Sequence, residues 1–360
     1  MNQETAITWS WLNVLTKRRY DALIEVYGNL DEALGHVDAQ MLKGLHCRDD
    51  TVAMILERSR AFNLQAYERN LHDRNITFVS IESPSYPARL LDLPDPPVFL
   101  YAKGSIEILC QPCIAVVGTR NMSSYGKRVV SDLVPQFVHA GLMTVSGLAI
   151  GIDAQVARET LAVAGKTVAV LGNGLSCVHP RCHSELAEQI VASGGLLLSE
   201  FPIDMVPDKY TFPARNRIIA GLSLGTVIAE AGEGSGALIT AELALEYGRD
   251  IFAVPGQMFD PHYAGCHQLI SRGHAKLVAT ATDVLQELGI VVPLEGTRKQ
   301  YEPQNGQEEQ LYAALTTMPQ SVTEIIGRTD LDVATTNAIL TVLELRGAAK
   351  NSGGGMWVRC

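Results

Sequence analysis

Ile114-Ala115-Val116-Val117-Gly118-Thr119-Arg120-Asn121-Met122-Ser123-Ser124-Tyr125-Gly126 is the stretch whose reading decides the fold. Its opening apolar run lacks polar alternation, as a strand covered on both faces must. Gly, Thr, Arg and Ser end the run, and helical spacing takes over across Lys127–Ala140. The same order recurs downstream. Short Val/Ile/Leu runs lie at Leu142–Ser146, Thr167–Leu171, Leu196–Ser199, Gly225–Ala229, Ile251–Val254 and Lys276–Val278. Helical candidates fall between them at Ile152–Ala164, His183–Ala192, Ala237–Tyr247 and His267–Ser271. This alternation over 112–288 predicts a parallel, doubly wound α/β sheet.

Outward from this core, residues 1–70 read as helical, with apolar spacing in Trp11–Leu15, Tyr20–Tyr27 and Val52–Ala66. A connector holding Pro84, Pro87, Pro94, Pro96 and Pro97 follows; proline favours extended backbone, so it is expected to lie flat along a domain surface. Residues 291–306 read as a linker, with Pro293, Gly296, Pro303 and Gly306. Beyond it, Ser321-Val322-Thr323-Glu324 fits a capping box, Asp332 can cap a helix running to Leu345, and Ser352–Gly355 can turn a final hairpin. Three helices and a ribbon predict a small winged-helix-like module. The expected divisions are 1–75, 76–290, the linker 291–306, and 307–360.

Of the 360 residues, 47% are apolar and 19% charged, which excludes a mostly disordered chain. No apolar run reaches the ~18 residues that span a bilayer, and the start Met1-Asn2-Gln3-Glu4 is no signal peptide. Seven cysteines form no framework, so reduced thiols and a cytoplasmic location are expected. The formal net charge is −10, and acids outnumber bases in 1–76 (11 to 9), 77–290 (20 to 14) and 291–360 (8 to 6). Any contact with nucleic acid must therefore be made by a local patch.

Ligands of open α/β sheets sit outside the carboxyl ends of the strands. After the first run, Gly118, Thr119 and Arg120 with Ser123 and Ser124 offer amides, hydroxyls and a cation at a helix start; this is an anion site or a plain turn. Neither the G-x-G-x-x-G spacing nor a Gly-Lys-Ser/Thr phosphate loop is present. After the second run come Ser146, Gly147, Gly151 and Asp153, where helix capping explains Asp153 as well as catalysis does. Lys209-Tyr210-Thr211-Phe212-Pro213-Ala214-Arg215-Asn216-Arg217 packs three cations and two aromatics into nine residues. Cations can track phosphates while rings stack on bases; a solvated basic helix start is the other reading. Gly232–Gly236 can cradle a phosphate or simply turn. Cys110 and Cys113 have zinc-like spacing but no second Cys/His pair follows at a familiar interval, Cys177, His179, Cys182 and His183 cluster too tightly for tetrahedral geometry, and no nucleophile elbow is present. No metal, cofactor or catalytic residue is assigned.

Several strings, in order, resemble the DprA/Smf family of DNA-processing proteins: Tyr86-Pro87, Pro96-Pro97 through Gly104, Val117–Arg120, Ser146–Asp153, Phe212–Gly221, Glu230-Ala231, Ser235–Ala241 and Val254–Gly256. The resemblance is dense over about 80–290. It implies an extended Rossmann-like domain that binds single-stranded DNA without catalysis, shields incoming strands in natural transformation, helps load the RecA recombinase, and dimerises. It makes Arg120 the phosphate-pocket arginine, with Gly118 and Thr119 lining the pocket. Lys209 and Phe212 become the DNA-contacting lysine and aromatic, and Ser146, Gly147, Gly151, Arg215 and Asn216 pocket-forming positions; Arg217 is expected to extend the track. The first module resembles a SAM/helix-hairpin-helix unit, but His46 stands where Lys43-Gly44-Leu45 should be followed by glycine, which argues against duplex binding there. The alternative is a nucleotide phosphoribohydrolase-like enzyme, with Glu230 or Glu242 as its acid.

Overall fold

The computed structural model describes residues 1–290, 301, 303–316, 319–329 and 331–359. Most of the expected linker, 291–300 and 302, lies outside them. The chain forms two compact units, 1–292 and 293–360.

In the first unit the described residues form a nine-stranded sheet. Its strands are β1 (Ile76–Ser80), β2 (Phe99–Gly104), β3 (Cys113–Gly118), β4 (Met143–Ser146), β5 (Thr167–Val170), β6 (Leu196–Ser199), β7 (Gly225–Glu230), β8 (Asp250–Ala253) and β9 (Lys276–Leu277). Their order is β1-β2-β6-β5-β4-β3-β7-β8-β9, parallel from β6 to β9. The chain works outward from β3 through β4 and β5 to β6, then crosses back to place β7 on the other side of β3. Strand order therefore reverses between β3 and β7, which sets the ligand crevice.

The helices of the unit are α1 (Gln3–Leu12), α2 (Lys17–Tyr27), α3 (Leu30–Leu34), α4 (Ala39–Gly44), α5 (Asp49–Ala61), α6 (Leu64–Asp73), α7 (Ala88–Leu91), α8 (Ser124–His139), α9 (Ile152–Ala162), α10 (Ser184–Ala192), α11 (Thr211–Leu222), α12 (Gly236–Glu246), α13 (Ala264–Ser271) and α14 (Ala281–Glu287). Both faces of the sheet are covered, which is why its strands carry no polar alternation. Ile114 and Val116 pack against Val130, Val134 and Phe137 of α8, while Ala115 and Val117 join the core of Ile218 and Leu222 of α11 and Ala241 of α12. Towards the other end, Ala169 and Leu197 meet Ala157 of α9 and Ile190 of α10.

The proline-rich connector departs from expectation. It joins β1 to β2 and runs into β2; the two strands pair antiparallel, and β2 adds to β6. Pro96 and Pro97 are themselves buried, and Leu90, Leu100 and Tyr101 are fully so. The prolines punctuate a segment whose apolar residues belong to the core, so it is not a surface ribbon. The all-helical reading of 1–70 holds, with the short helices α3 and α4 lying between the stretches of helical apolar spacing. These helices share a core with the sheet domain, where Trp9, Leu30 and Ile55 meet Val98 and Phe99. His46 takes φ 57, the left-handed conformation glycine would otherwise supply.

The second unit holds α15 (Gly306–Ala314), α16 (Val322–Thr329) and α17 (Val333–Leu345) with a sheet of order β10-β12-β11, from Gln320–Ser321, Met356–Arg359 and Ala349–Gly353. The expected capping box is formed: Glu324 N–H donates to Ser321 Oγ at 3.2 Å, and Ser321 N–H to Glu324 Oε2 at 2.7 Å. Asp332 caps α17 as expected. Leu311, Ile325, Leu340, Leu343 and Trp357 fill the core of this winged-helix domain.

Candidate nucleic-acid interface

The site grows from the carboxyl ends of β3, β4 and β5. At the end of β3, Thr119 N–H donates to Glu230 O at 2.8 Å, binding the loop to β7. Ile152 N–H donates to Thr119 O at 3.2 Å, stacking the β4–α9 loop on the β3–α8 loop. Gly151 sits at φ 90 with Thr119 O 2.3 Å from where a Cβ would lie, so only glycine permits that stacking. Gly118, Thr119 and Gly151 thus form one rim, and Arg120 projects from it exposed to solvent.

Arg120 does not stand alone. Its guanidinium lies over the Phe212 ring, 5.5 Å from the centroid. Phe212 comes from the first turn of α11 and is half-buried against the loop after β5. The ring of His179, exposed on that loop, lies 5.8 Å from Phe212, tilted 45°. A planar cation and two rings thus meet at one rim. The sequence reading missed His179 as a partner of Phe212; the available signal was its place in the loop that follows the Thr167–Leu171 run. Lys209 stands exposed three residues before Phe212, its ammonium 4.9 Å from the centre of the Tyr210 ring, which is itself 72% exposed.

Other expected site residues point elsewhere. Arg215 is buried and donates through Nη1 to Gly147 O at 2.7 Å and to Val170 O, while its Nε donates to Asn216 Oδ1 at 3.1 Å. It ties α11 to the ends of β4 and β5. Gly147 N–H donates to Asp153 Oδ2 at 2.9 Å, and Ser146 Oγ donates to Asp153 O at 3.3 Å. Burial raises the Asp153 pKa despite the charge of Arg215, and burial lowers that of Arg215. Desolvation outweighs attraction for both groups. Ser146, Gly147, Arg215 and Asn216 support the rim from beneath.

Arg217 is a correction. It was expected to extend the phosphate track, but its Nη1 donates to Glu200 Oε1 at 2.5 Å and its Nε to Asp95 O at 2.9 Å. Burial opposes the charge, yet Glu200 and Asp95 hold the Arg217 pKa above its ordinary value. Two residues beyond Arg215 on a helix, it faces a different side, towards Glu200 just after β6 and Asp95 just before β2. Of the carboxylates considered as catalytic acids, Glu230 is fully buried and held by Ser123, and Glu242 is exposed on α12. Among the described residues no three His, Cys, Asp or Glu side chains could hold a metal, and no helix is long and apolar enough to cross a membrane.

A doubly wound sheet with an exposed arginine and clustered rings at the carboxyl rim, together with a winged-helix domain, defines a Rossmann-like protein of the DNA-binding class. The family model for DNA recombination-mediator protein A matches residues 77–289, and the DprA winged helix domain matches 296–355. The chain belongs to the DprA/Smf family of DNA-processing proteins. It is 40% identical over 273 residues to DNA processing protein DprA of Streptococcus pneumoniae, covering 76% of this chain and 94% of that one. Against DNA processing protein DprA of Bacillus subtilis it is 42% identical over 217 residues, 60% of this chain and 72% of the relative. The solved structure of the Streptococcus pneumoniae protein superposes with a TM-score of 0.68 at 36% identity, covering 80% of this chain and 98% of that one. A Helicobacter pylori DNA processing protein A structure, concerned with that protein's single-stranded DNA binding mode, gives a TM-score of 0.53 at 29% identity, covering 59% and 95%.

Proposed function

We propose that this protein binds single-stranded DNA at the Arg120–Phe212 rim, without sequence preference and without turnover. The observation that carries the reading is the contact of Arg120 with Phe212 at the rim formed by the carboxyl ends of β3, β4 and β5. Bases stack on Phe212 and His179, while phosphates meet Arg120, the amides of Gly118 and Thr119, and Lys209. Stacking is worth ~1–3 kcal/mol per base and suits every base, since each has a π-face. The Helicobacter pylori relative, studied for its single-stranded DNA binding mode, supports the assignment. A mononucleotide hydrolase is less well supported, because Glu230 is sealed from solvent and free nucleotides have no use for an extended row of cations and rings.

We further propose, on family membership, that the protein acts in the cytoplasm, working as a homodimer that shields incoming strands and helps load RecA onto them. The deciding experiment titrates labelled single- and double-stranded oligonucleotides at two salt concentrations with wild type and Arg120→Ala. Tighter binding of the single strand, lost in the variant, is expected. A folded Arg120→Ala protein that binds as wild type removes the rim from consideration.

A further inference from the structure

In an open α/β sheet, a nucleotide phosphate sits at the N-terminus of the helix that follows the strand at the point of reversal. Here that helix is α8, and its N-terminus is already taken by a carboxylate of the chain itself. Glu230, the last residue of β7 and fully buried, accepts from Ser123 N–H at 3.1 Å on each oxygen and from the Ser123 hydroxyl at 3.1 Å. Gly126 N–H donates to Ser123 Oγ at 3.0 Å, completing the first turn. A Cβ on Gly126 would lie 1.7 Å from Glu230 Oε2, so a glycine is required for the carboxylate to enter.

A second observation points to the same spot. Tyr263 is 1% exposed, and its hydroxyl has no hydrogen-bond partner among the described residues. Its ring meets Tyr125 of the first turn of α8 edge-on at 5.5 Å. Burial pushes the Tyr263 phenol pKa up, the nearby Glu230 carboxylate adds to that, and the Ser123 hydroxyl beside it opposes it. Amide, serine hydroxyl and idle phenol together make a donor set for an oxyanion, and Glu230 is the only acceptor side chain donors of this set are seen to hold among the described residues.

Resting on the single-strand reading above, we propose that Glu230 is a specificity-determining residue: its carboxylate closes the phosphate-monoester site at the start of α8. A terminal phosphate or free mononucleotide, with up to two negative charges, meets a buried anion there and is refused. An internal phosphodiester carries one charge and is met at the neighbouring Gly118–Arg120 rim. The strand is held along its length, with no advantage to its 5′ end.

The test uses the full chain and calorimetric titration of dTMP, with thymidine as the phosphate-free control. Wild type is expected to show no more than the small preference for dTMP that the exposed Arg120 rim gives any phosphate. Glu230→Ala, which bares the Ser123 and Tyr263 donors, is expected to prefer dTMP by about tenfold, the scale of charge-assisted bonds to a phosphate. Adding Tyr263→Phe should remove part of that gain. A Glu230→Ala protein that melts cooperatively yet takes dTMP and thymidine equally overturns the proposal. So does a wild type that prefers dTMP as strongly as Glu230→Ala does. Should Glu230→Ala not fold, the unaltered protein still decides: 5′-phosphorylated and 5′-hydroxyl oligonucleotides must bind equally, and a clear preference for the phosphorylated end refutes a closed site. A wild type that binds neither oligonucleotide defeats the single-strand reading alone, because the dTMP comparison needs no oligonucleotide.

Discussion

The Arg120 guanidinium rests over the Phe212 ring at 5.5 Å, joining a loop after β3 to a helix that begins 91 residues later. A cation held over a ring face is attracted by its quadrupole and is also kept in one place. Arg120 therefore meets a phosphate already oriented, which lowers the ordering cost of binding.

Arg120→Ala is expected to weaken single-strand binding by about tenfold or more and to make the log–log salt slope shallower by about 0.7, the share of one neutralised phosphate. Arg120→Lys should keep the slope while losing the stacked plane, for an intermediate loss. Titrations at several salt concentrations separate the two. Arg120 is exposed, so neither variant should lower the melting temperature by much.

Phe212→Ala removes a base platform but no charge. Affinity is expected to fall by ~1–3 kcal/mol with the salt slope unchanged. A slope that falls as it does in Arg120→Ala would show that Phe212 acts only by holding Arg120.

The sheet was legible in the chain because both of its faces are covered, so that runs such as Ile114–Val117 and Leu196–Leu198 carry no polar alternation. The β1–β2 pair was not legible, since prolines mask a segment whose burial is decided by long-range packing. Within 209–217 the sequence showed three cations but not their directions. On a helix, Arg215 and Arg217 are set about 200° apart, and burial against β4 and β5 on one side and Glu200 on the other took both from the rim. Spacing within a string fixes which residues are neighbours, whereas which of them faces solvent depends on the partner surfaces.

Arg215→Ala and Arg217→Ala should act on stability. The first strands the carbonyls of Gly147 and Val170, at ~1–3 kcal/mol per buried acceptor. The second leaves Glu200 without its cation. Denaturant unfolding should show a loss of stability in both, while the salt slope of DNA binding in Arg217→Ala stays at the wild-type value. A shallower slope would return Arg217 to the phosphate track.

Asp153 supplies the pH dependence. Burial raises its pKa above 3.8, so the folded state holds this proton more tightly than the unfolded chain. Its contribution is fully present below 3.8 and is lost as pH rises through the folded pKa. The stability cost of Asp153→Asn should therefore be smaller at pH 7 than near pH 4, measured by denaturant unfolding of both proteins at each pH. A cost that grows with pH would mean that the pairing with Arg215 outweighs burial.

The helical start of the chain braces the loop that carries Lys209. The Tyr67 hydroxyl donates to Tyr101 Oη at 2.9 Å and accepts from Ile203 N–H at 3.1 Å, and Tyr101 Oη is 2.7 Å from Ser10 Oγ. This buried chain of bonds runs from α1 and α6 through β2 to the segment after β6. Tyr67→Phe leaves the Ile203 amide without its acceptor, which should cost ~1–3 kcal/mol. Ser10→Ala breaks only the far end and should cost less. Hydrogen exchange at Ile203 is expected to quicken in Tyr67→Phe and to remain slow in Ser10→Ala, with a modest loss of single-strand affinity in the first alone. If exchange at Ile203 is unchanged by Tyr67→Phe, the loop is held by other contacts and the helical module has no part in presenting Lys209.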